Sequence, residues 1–270
     1  MLITFATTCR SRLYDLQRTL PVNLKLLLPG ERIIVLDYNS PDGLWDWLLS
    51  LREPLREGKL EIYRERKAPR FFMSHAKNVA HLLAYWWLPG WNAPFTGKPH
   101  TTPCVVVGLD ADNYLDPSYL RVLRDCRWET VGCLYPLSGH GGFKGRVGLR
   151  ADVFSRLGGY DEQMCLGYGW EDLDVYKRCI LSGIASHAHV DISNRFVIPT
   201  SPAGKEQAQL HSGMSFNDSM FRHGEIAKAR YARGQWWVNS ESEWGAAEVE
   251  TRYGALFQVA HPPTPAAACW

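Results

Sequence analysis

Residues 103–115 read PCVVVGLDADNYL, an apolar and β-branched run that ends at a pair of aspartates, Asp110 and Asp112. Such a run is typical of a strand that is buried on both faces of a sheet. Three comparable runs precede it, namely LITFAT at 2–7, RIIVLDY at 32–38 and KLEIYRE at 59–65. Leucines at helical spacing separate the first two runs, which favours a parallel βαβ unit.

The rest of the chain alternates helical and extended segments. Helical patterns occupy residues 73–87 with Ser74 as a candidate N-cap, 116–126 with Asp116 or Pro117 at the start, 150–159, 170–183 and 218–237. Glycines or prolines punctuate most of these segments. We therefore predict an α/β fold with a central, mostly parallel sheet flanked by helices, as a single domain with a C-terminal helical extension.

Composition describes an ordinary globular protein of 270 residues with a net charge of +2. The small charge gives no argument for nucleic acid as the main partner. Seven cysteines without a C-x-x-C pair favour buried free thiols over a zinc cluster and fit a reducing, cytoplasmic setting. The sequence shows neither a signal peptide nor an apolar run long enough to span a membrane, so we expect a soluble protein.

Three polar features follow predicted strands, where ligands of open α/β sheets bind. TTCR (7–10) follows the first strand, Asp37 ends the second, and Asp110 and Asp112 end the fourth. Two aspartates separated by one residue point the same way on an extended chain, and paired carboxylates suit Mg²⁺ or Mn²⁺ bound to phosphate. A solvated acidic turn is the alternative, and the apolar strand before the pair favours the metal site.

A second acidic feature is GYGWEDLD at 167–174, in which Glu171, Asp172 and Asp174 follow two glycines and two aromatic residues. Acids in the first turn of a helix complement its dipole, which is the structural alternative. That alternative leaves the glycines and aromatics unexplained. Glycines permit close backbone contact with a ligand and aromatics stack on sugar faces, so the pattern favours a sugar site.

Five segments of the chain resemble, in the same order, segments of a known family. They are FATTCR, IIVLDYNSPDG, SHAKNVA, VVVGLDADN and GFKGRVGLRADVFSRLGGYDEQMCLGYGWEDLDVYKR. Together they span residues 2–183, and the last is the most specific. The chain resembles the GT-A fold nucleotide-sugar glycosyltransferases, family 2 in particular. Its C-terminal half is similar to the β-1,4-galactosyltransferases of family 7, in which the matching stretch ends in a run such as W-G-G-E-D-D-D.

The resemblance implies roles for residues of the donor half. Thr7, Arg10 and Asp37 would hold the nucleotide, with Asp37 near the base. Lys77 stands where family 2 usually has arginine and would approach the diphosphate, although a lysine offers a point charge instead of a planar fork. Asp110 would contact the ribose or the metal.

The resemblance also implies the catalytic and sugar-binding residues. Asp112 would be the direct metal ligand. Gly145 would line the sugar site, and Trp170 and Glu171 would contact the donor or acceptor sugar. Asp172 would be the catalytic base, and Asp174 a helix-face residue that supports the other two acids.

A metal-binding histidine is the remaining part of the implied site. The galactosyltransferases carry one in a stretch like H-S-x-x-x-x-N-E, and LHSGMSFND at 210–218 matches that spacing with His211. Ala208 replaces the methionine that family 7 has three residues earlier, so water would take that ligand's place. Other candidate histidines are His187, His189 and His223. The implied cofactor is Mn²⁺ or Mg²⁺.

The implied reaction is an inverting transfer of a sugar from a nucleotide-sugar, with UDP as the expected nucleotide, to an acceptor hydroxyl. A nucleotidyltransferase could use the same acid–metal site, but it would usually have a glycine-rich loop after the first strand, and TTCRSR lacks glycine. A non-catalytic carbohydrate-binding protein would suit the 11 tryptophans. It would not need two acidic motifs and a metal-binding histidine together.

The implied catalytic domain covers 1–217, with a nucleotide-binding part at 1–113 and an acceptor part at 114–217. A helical extension at 218–260 and a disordered tail at 261–270 would follow. The candidate acceptors are a glycan, a lipid-linked sugar, a protein and a modified base in DNA, and the sequence selects none of them. Basic and aromatic residues at 221–237 would suit a phosphate-bearing acceptor, or form a solvated helix face. A bacterial or phage origin fits this reading.

Overall fold

The computed structural model describes residues 2–86, 104–136, 145–183, 186–190, 214–241 and 243–261. The strands are β1 Leu2–Cys9, β2 Arg32–Tyr38, β3 Leu60–Glu65, β4 Cys104–Gly108, β5 Val131–Pro136, β6 Gly148–Arg150, β7 Ser186–Val190, β8 Trp244–Thr251 and β9 Leu256–His261. They form a single nine-stranded sheet in the order β7-β5-β6-β4-β1-β2-β3-β8-β9. Strands and helices alternate along most of the chain, which confirms the predicted α/β fold.

The helices of the described ranges are α1 Leu13–Lys25, α2 Leu44–Ser50, α3 Arg52–Arg56, α4 Met73–Trp86, α5 Pro117–Asp125, α6 Ala151–Leu157, α7 Glu171–Ser182 and α8 Phe216–Ala232. The predicted start of α5 is confirmed, because the Asp116 side chain accepts a hydrogen bond from the backbone N–H of Ser118. Ser74, the suggested N-cap of α4, is instead its second residue and is buried. No helix in these ranges is long and apolar enough to cross a membrane.

The centre of the sheet is parallel, since β1 pairs in parallel with β2 and β4, and β2 with β3. Side chains alternate between the two faces, and both faces are covered. Ile33 and Val35 pack in a core with residues of α1, α2 and α5. Ile34 and Leu36 pack in a second core with residues of α4, α6 and α7. Burial on both faces explains why these strands read as continuous apolar runs.

The C-terminal segment differs from the predicted helical extension. Helix α8 is followed by a β-hairpin, β8–β9, and β8 pairs antiparallel with β3. The prediction missed this hairpin, although Val249 lies between Glu248 and Glu250, the alternation expected of a half-buried strand. The hairpin supplies hydrogen-bond partners to the free edge of β3. The predicted tail lies almost wholly outside the described residues.

The cysteines of the described ranges match the predicted free thiols. Six of the seven lie in the described ranges, and all six are free thiols. Four of them are buried, where they act as small apolar residues.

Candidate functional site

The two acidic motifs lie on the side of the sheet where the parallel strands end. Asp110 and Asp112 follow β4 in a turn, in which the backbone N–H of Asn113 donates to the carbonyl of Asp110 at 3.0 Å. Gly145 lies directly against this turn, and a Cβ at that position would overlap the Asp110 carboxylate. The structure therefore brings Asp110, Asp112 and Gly145 together, and it requires glycine at 145.

Both carboxylate oxygens of Asp112 have partners within the protein. Oδ2 accepts a hydrogen bond from Nη2 of Arg12 at 3.0 Å, and Oδ1 accepts one from Nδ2 of Asn113 at 2.7 Å. Burial and the nearby Asp110 raise the pKa of Asp112, while Arg12 opposes that rise. The turn thus concentrates negative charge that a single hydrogen-bonded cation offsets only in part.

The chemistry of this turn fits a divalent cation, because hard cations take carboxylate oxygens and relieve the repulsion between neighbouring acids. Within the ranges described, however, no group of three or more His, Cys, Asp or Glu side chains is placed to hold a metal. Asp110 and Asp112 would supply two acidic ligands, and water, phosphate oxygens or a further side chain would supply the others. His211 lies outside the described residues, as do the side chains of His187 and His189 on β7.

His223 on α8, the remaining histidine candidate, is committed to another role. It is buried, and its ring nitrogens lie 2.7 Å from the carbonyl oxygen of Gly169 and 2.8 Å from that of Leu166. Both ring nitrogens are therefore engaged by backbone carbonyl oxygens. His223 fastens the loop before α7 to α8 and has no free nitrogen for a metal.

Lys77 on α4 joins the second acidic motif directly. Its Nζ atom lies 2.6 Å from Oδ1 of Asp172 and 3.0 Å from Oε1 of Glu171, and all three side chains are buried. It also lies 5.5 Å from the ring centre of Tyr160. The structure thus places Lys77 of α4 against the first turn of α7, next to the predicted base.

The two carboxyl groups that share Lys77 are shifted in opposite directions. Burial raises the pKa of Asp172 well above its ordinary value, and the negative charge of Glu171 adds to the rise despite Lys77. For Glu171, burial also acts to raise the pKa, but Lys77 outweighs it and the net shift is downward. Beside the same ammonium group, Glu171 is therefore the acid that favours its ionised form, and Asp172 is the acid with the higher affinity for a proton.

The loop before α7 has an unusual backbone. Trp170 directly precedes the helix with a φ of 75°, and Gly167 and Gly169 have φ values of 105° and 92°. A positive φ is costly for a tryptophan and has to be imposed by its surroundings. Side chains at the two glycines would collide with Ser219 and Met220 of α8. These glycines thus have a packing role that the sequence-based interpretation as ligand-facing residues did not include.

The Trp170 side chain lies against α8 and against a lysine of α7. Its ring lies beside Gly224 of α8, and Nζ of Lys177 lies 5.2 Å from the ring centre. Tyr168, by contrast, is 45% exposed and its ring centre lies 6.1 Å from that of Phe216. Sequence reasoning singled out Trp170 and passed over Tyr168, the more accessible aromatic of the same motif.

Asp174 is the central acceptor of a buried ion-pair network. Its Oδ2 accepts from Nε of Arg178 at 2.7 Å, and its Oδ1 accepts from Nη2 of Arg230 at 2.7 Å and from the Tyr231 hydroxyl at 2.8 Å. Arg230 also bonds to Asp161. Asp174 thus links α7 to α8, and its predicted support of Glu171 and Asp172 stays a prediction.

Two of the predicted nucleotide-binding residues belong to the strand ends. Thr7 is buried within β1, two residues before the strand ends. Arg10 donates through Nη1 to the carbonyl oxygens of Tyr38 at 3.0 Å and Ala68 at 2.9 Å. The structure therefore places Arg10 as a clamp between the ends of β1 and β2 and the loop that follows β3.

Asp37 ends β2 as a fully buried acid. Its Oδ1 accepts a hydrogen bond from the backbone N–H of Ser40 at 2.7 Å, and its Oδ2 lies 3.5 Å from Nε of Arg64. Burial raises the pKa of Asp37 to about 6, against the effects of Ser40 and Arg64. Within the described residues its Oδ2 has no hydrogen-bond donor. This oxygen therefore has unused acceptor capacity.

The buried charge of Asp37 gives a testable effect of pH on stability. Its folded-state pKa of about 6 exceeds the ordinary 3.8, so the stabilisation from protonation is complete below pH 3.8 and is lost as the pH rises through 6. Asp37→Asn keeps the acceptor for Ser40 without the charge. We expect it to raise the free energy of unfolding at pH 8 by about 1–3 kcal/mol.

Urea denaturation at pH 8 and pH 5 measures this effect, with the exposed Asp46→Asn in α2 as the control. The increase in the free energy of unfolding caused by Asp37→Asn should be smaller at pH 5 than at pH 8. Asp46→Asn should change the free energy of unfolding little at either pH. A variant less stable than the wild-type protein at pH 8 would show that Arg64 and Ser40 outweigh the cost of burial.

Known proteins were compared with the chain at the levels of sequence and structure. No family model and no curated protein sequence matches it. The structure is similar to a mannosyltransferase from Pyrobaculum calidifontis, PcManGT, in complex with GDP-Man and Mn²⁺, with a TM-score of 0.52 at 13% identity over 85% of this chain and 75% of that one.

It is also similar to glucosyl-3-phosphoglycerate synthase from Mycobacterium tuberculosis in complex with Mn²⁺, UDP and phosphoglyceric acid. The TM-score is 0.51 at 10% identity, over 97% of this chain and 87% of that one. A second structure of the same synthase gives a TM-score of 0.50 at 11% identity, over 97% and 90% of the two chains. Identities this low show the fold alone, which is the predicted GT-A arrangement.

Proposed function

We propose that the chain is a metal-dependent glycosyltransferase that moves a sugar from a nucleotide-sugar, with UDP as the nucleotide, to an acceptor hydroxyl with inversion. The observation that carries the proposal is Asp172, a buried acid with a raised pKa that Lys77 contacts at 2.6 Å, on the side of a GT-A sheet that also bears Asp110 and Asp112. Two proteins of similar fold were solved with a nucleotide or nucleotide-sugar and Mn²⁺.

The donor would lie over the ends of β1, β2 and β4. Asp37, whose Oδ2 has unused acceptor capacity, would meet the base, and Thr7 and Arg10 would shape the nucleotide site through the strand ends. Asp110, Asp112 and His211 would hold the divalent cation. When bound, such a cation neutralises the charge that develops on a leaving diphosphate.

The transfer would be a single displacement. Asp172 accepts the proton of the acceptor hydroxyl while that oxygen attacks the anomeric carbon, and the bond from this carbon to the diphosphate oxygen breaks with both its electrons leaving on the oxygen. Attack from the face opposite the leaving group inverts the anomeric configuration. Glu171 and Trp170 would orient the sugar, and Gly145 would leave it room beside Asp110.

The Lys77 contact suits this role for Asp172. A base has to be ionised at the working pH and still have appreciable affinity for a proton. Burial and Glu171 supply the affinity, and the ammonium group of Lys77 keeps the carboxylate from becoming protonated too early. Lys77 was predicted to approach the diphosphate, and that contact stays a proposal beside its bonds to Asp172 and Glu171.

A screen of nucleotide-sugars with a Mn²⁺ titration tests the proposal. We expect release of the nucleoside diphosphate from one donor, slow without an acceptor, and abolished by EDTA and restored by Mn²⁺. Pyrophosphate release would instead indicate a nucleotidyltransferase. Binding of a sugar without turnover of any donor would indicate a carbohydrate-binding protein, and either result would overturn the proposal.

A further inference from the structure

Arg12 is an arginine whose role the sequence did not reveal. It directly precedes α1, and its Nη2 atom lies 3.0 Å from Oδ2 of Asp112, while its Nε atom bonds to Asp15. About a third of its side chain is exposed, at 31%, and the Asp112 side chain is 15% exposed. Unlike Arg10, which binds backbone carbonyls, Arg12 presents its charge to carboxylates that solutes can reach.

The position of Arg12 relative to Asp112 is fixed by buried contacts. Thr19 of α1 donates to the carbonyl of Ala111 at 2.7 Å. Asn23 of α1 donates to the carbonyl of Asn113 at 2.9 Å and accepts from the N–H of Leu115 at 2.7 Å. These bonds attach α1 to the turn that carries the D-x-D acids, so the Arg12–Asp112 pair does not depend on two freely moving surface side chains.

The charges around Asp112 are unbalanced. Asp110 and Asp15 both act on it as anions, and Arg12 is the cation that bonds to it. Arg146 also lies near these acids, but its Nε atom donates to the side chain of Asn113. Arg12 therefore occupies acceptor capacity of Asp112 for which a metal ion bound to that carboxylate would compete.

We propose that Arg12 is a built-in counter-ion for Asp112 that a divalent cation has to displace, so that Arg12 weakens metal binding to the free protein. The inference rests on the proposed function, because it takes Asp112 as a metal ligand. A guanidinium group and a divalent cation compete for the same oxygen and repel each other at short range. The displaced Arg12 stays tethered beside the site, where a phosphate oxygen can bind it.

Arg12→Gln tests the proposal by calorimetric titration with MnCl₂, with and without UDP. We expect about tenfold tighter Mn²⁺ binding in the absence of UDP, the effect of removing one nearby positive charge near the protein surface. Arg18→Gln is the matched control, since it removes the same charge from exposed Arg18 of α1, which lies over Tyr14 instead of an acid. Its Mn²⁺ affinity should equal that of the wild-type protein.

Thermal unfolding gives a second readout that needs no turnover. Without metal, Arg12→Gln should melt at a lower temperature than the wild-type protein because Asp112 and Asp15 lose their counter-ion. Saturating Mn²⁺ should raise its melting temperature by more than it raises that of the wild-type protein. Arg12→Lys, which keeps the positive charge, should bind Mn²⁺ with near wild-type affinity.

The results separate this inference from the proposed function. If the wild-type protein binds Mn²⁺ and Arg12→Gln binds it equally well or more weakly, the counter-ion role is wrong and the metal site stands. If the wild-type protein binds no Mn²⁺ even with UDP present, the metal-dependent function fails and this inference fails with it.

Discussion

Asp172→Asn is expected to lower the rate of glycosyl transfer by about 10²- to 10⁴-fold, the range for loss of a general base. The amide has the shape of the carboxylate and still accepts a hydrogen bond from Lys77, so α4 and α7 should stay in place. It has no affinity for the proton of the acceptor hydroxyl. Calorimetric titration with UDP and Mn²⁺ should therefore show donor-site binding close to that of the wild-type protein, while the steady-state transfer rate falls.

Glu171→Gln is the matched variant for this experiment. It removes the other carboxylate that Lys77 contacts, at 3.0 Å, from the adjacent position of the same helix. We expect Glu171→Gln to lower the transfer rate less than Asp172→Asn does, mainly through a higher KM for the acceptor. Equal losses from the two variants would show that the pair acts through its total charge, and an Asp172→Asn protein with a near wild-type rate would remove Asp172 from the mechanism.

Asp174→Ala is expected to lower the free energy of unfolding by about 3–5 kcal/mol, the range for breaking a buried ion pair by removing one partner. Asp174 and Arg178 have no exposed side-chain surface, at 0% each, and Arg230 retains only 5%. Without Asp174, Arg178 keeps its bonds to the carbonyls of Leu157 and Gly159, but it loses its carboxylate partner. Chemical denaturation measures the loss directly.

A surface ion pair on α8 provides the control. Glu225 accepts from Lys228 at 2.9 Å, and both side chains are more than half exposed. Glu225→Ala should cost less than about 1 kcal/mol, because solvent screens exposed pairs. If Asp174→Ala lowered the free energy of unfolding as little as Glu225→Ala, the ion-pair network would not be what holds α7 to α8.

The strands and the acidic motifs were accessible to sequence reasoning because both depend on local pattern. An apolar run followed by acids places those acids at the end of a buried strand, and the structure confirms this for β2 and β4. Ion pairing does not depend on local pattern. Lys77 and Asp172 are 95 positions apart, and Arg12 and Asp112 are 100 apart. Their spacing gives no indication of which cation meets which carboxylate.

The C-terminal hairpin and the loop before α7 show two other limits of local pattern. The strands β8 and β9 follow a long helical segment, and the pairing of β8 with β3 joins residues 188 positions apart, Tyr63 and Thr251. The glycines of GYGW would be present in the sequence whether they contact a ligand or pack against another helix. Only the position of Ser219 and Met220 against them shows that packing contributes.

The β8–β9 hairpin has a practical consequence for handling the protein. A chain shortened to end after α8 would keep both acidic motifs but uncover the hydrogen-bonding edge of β3. An exposed edge strand pairs readily with the same strand of another molecule, which leads to aggregation. Truncation, fusion and tagging are therefore better placed beyond His261, so that β8 continues to cover the edge of β3.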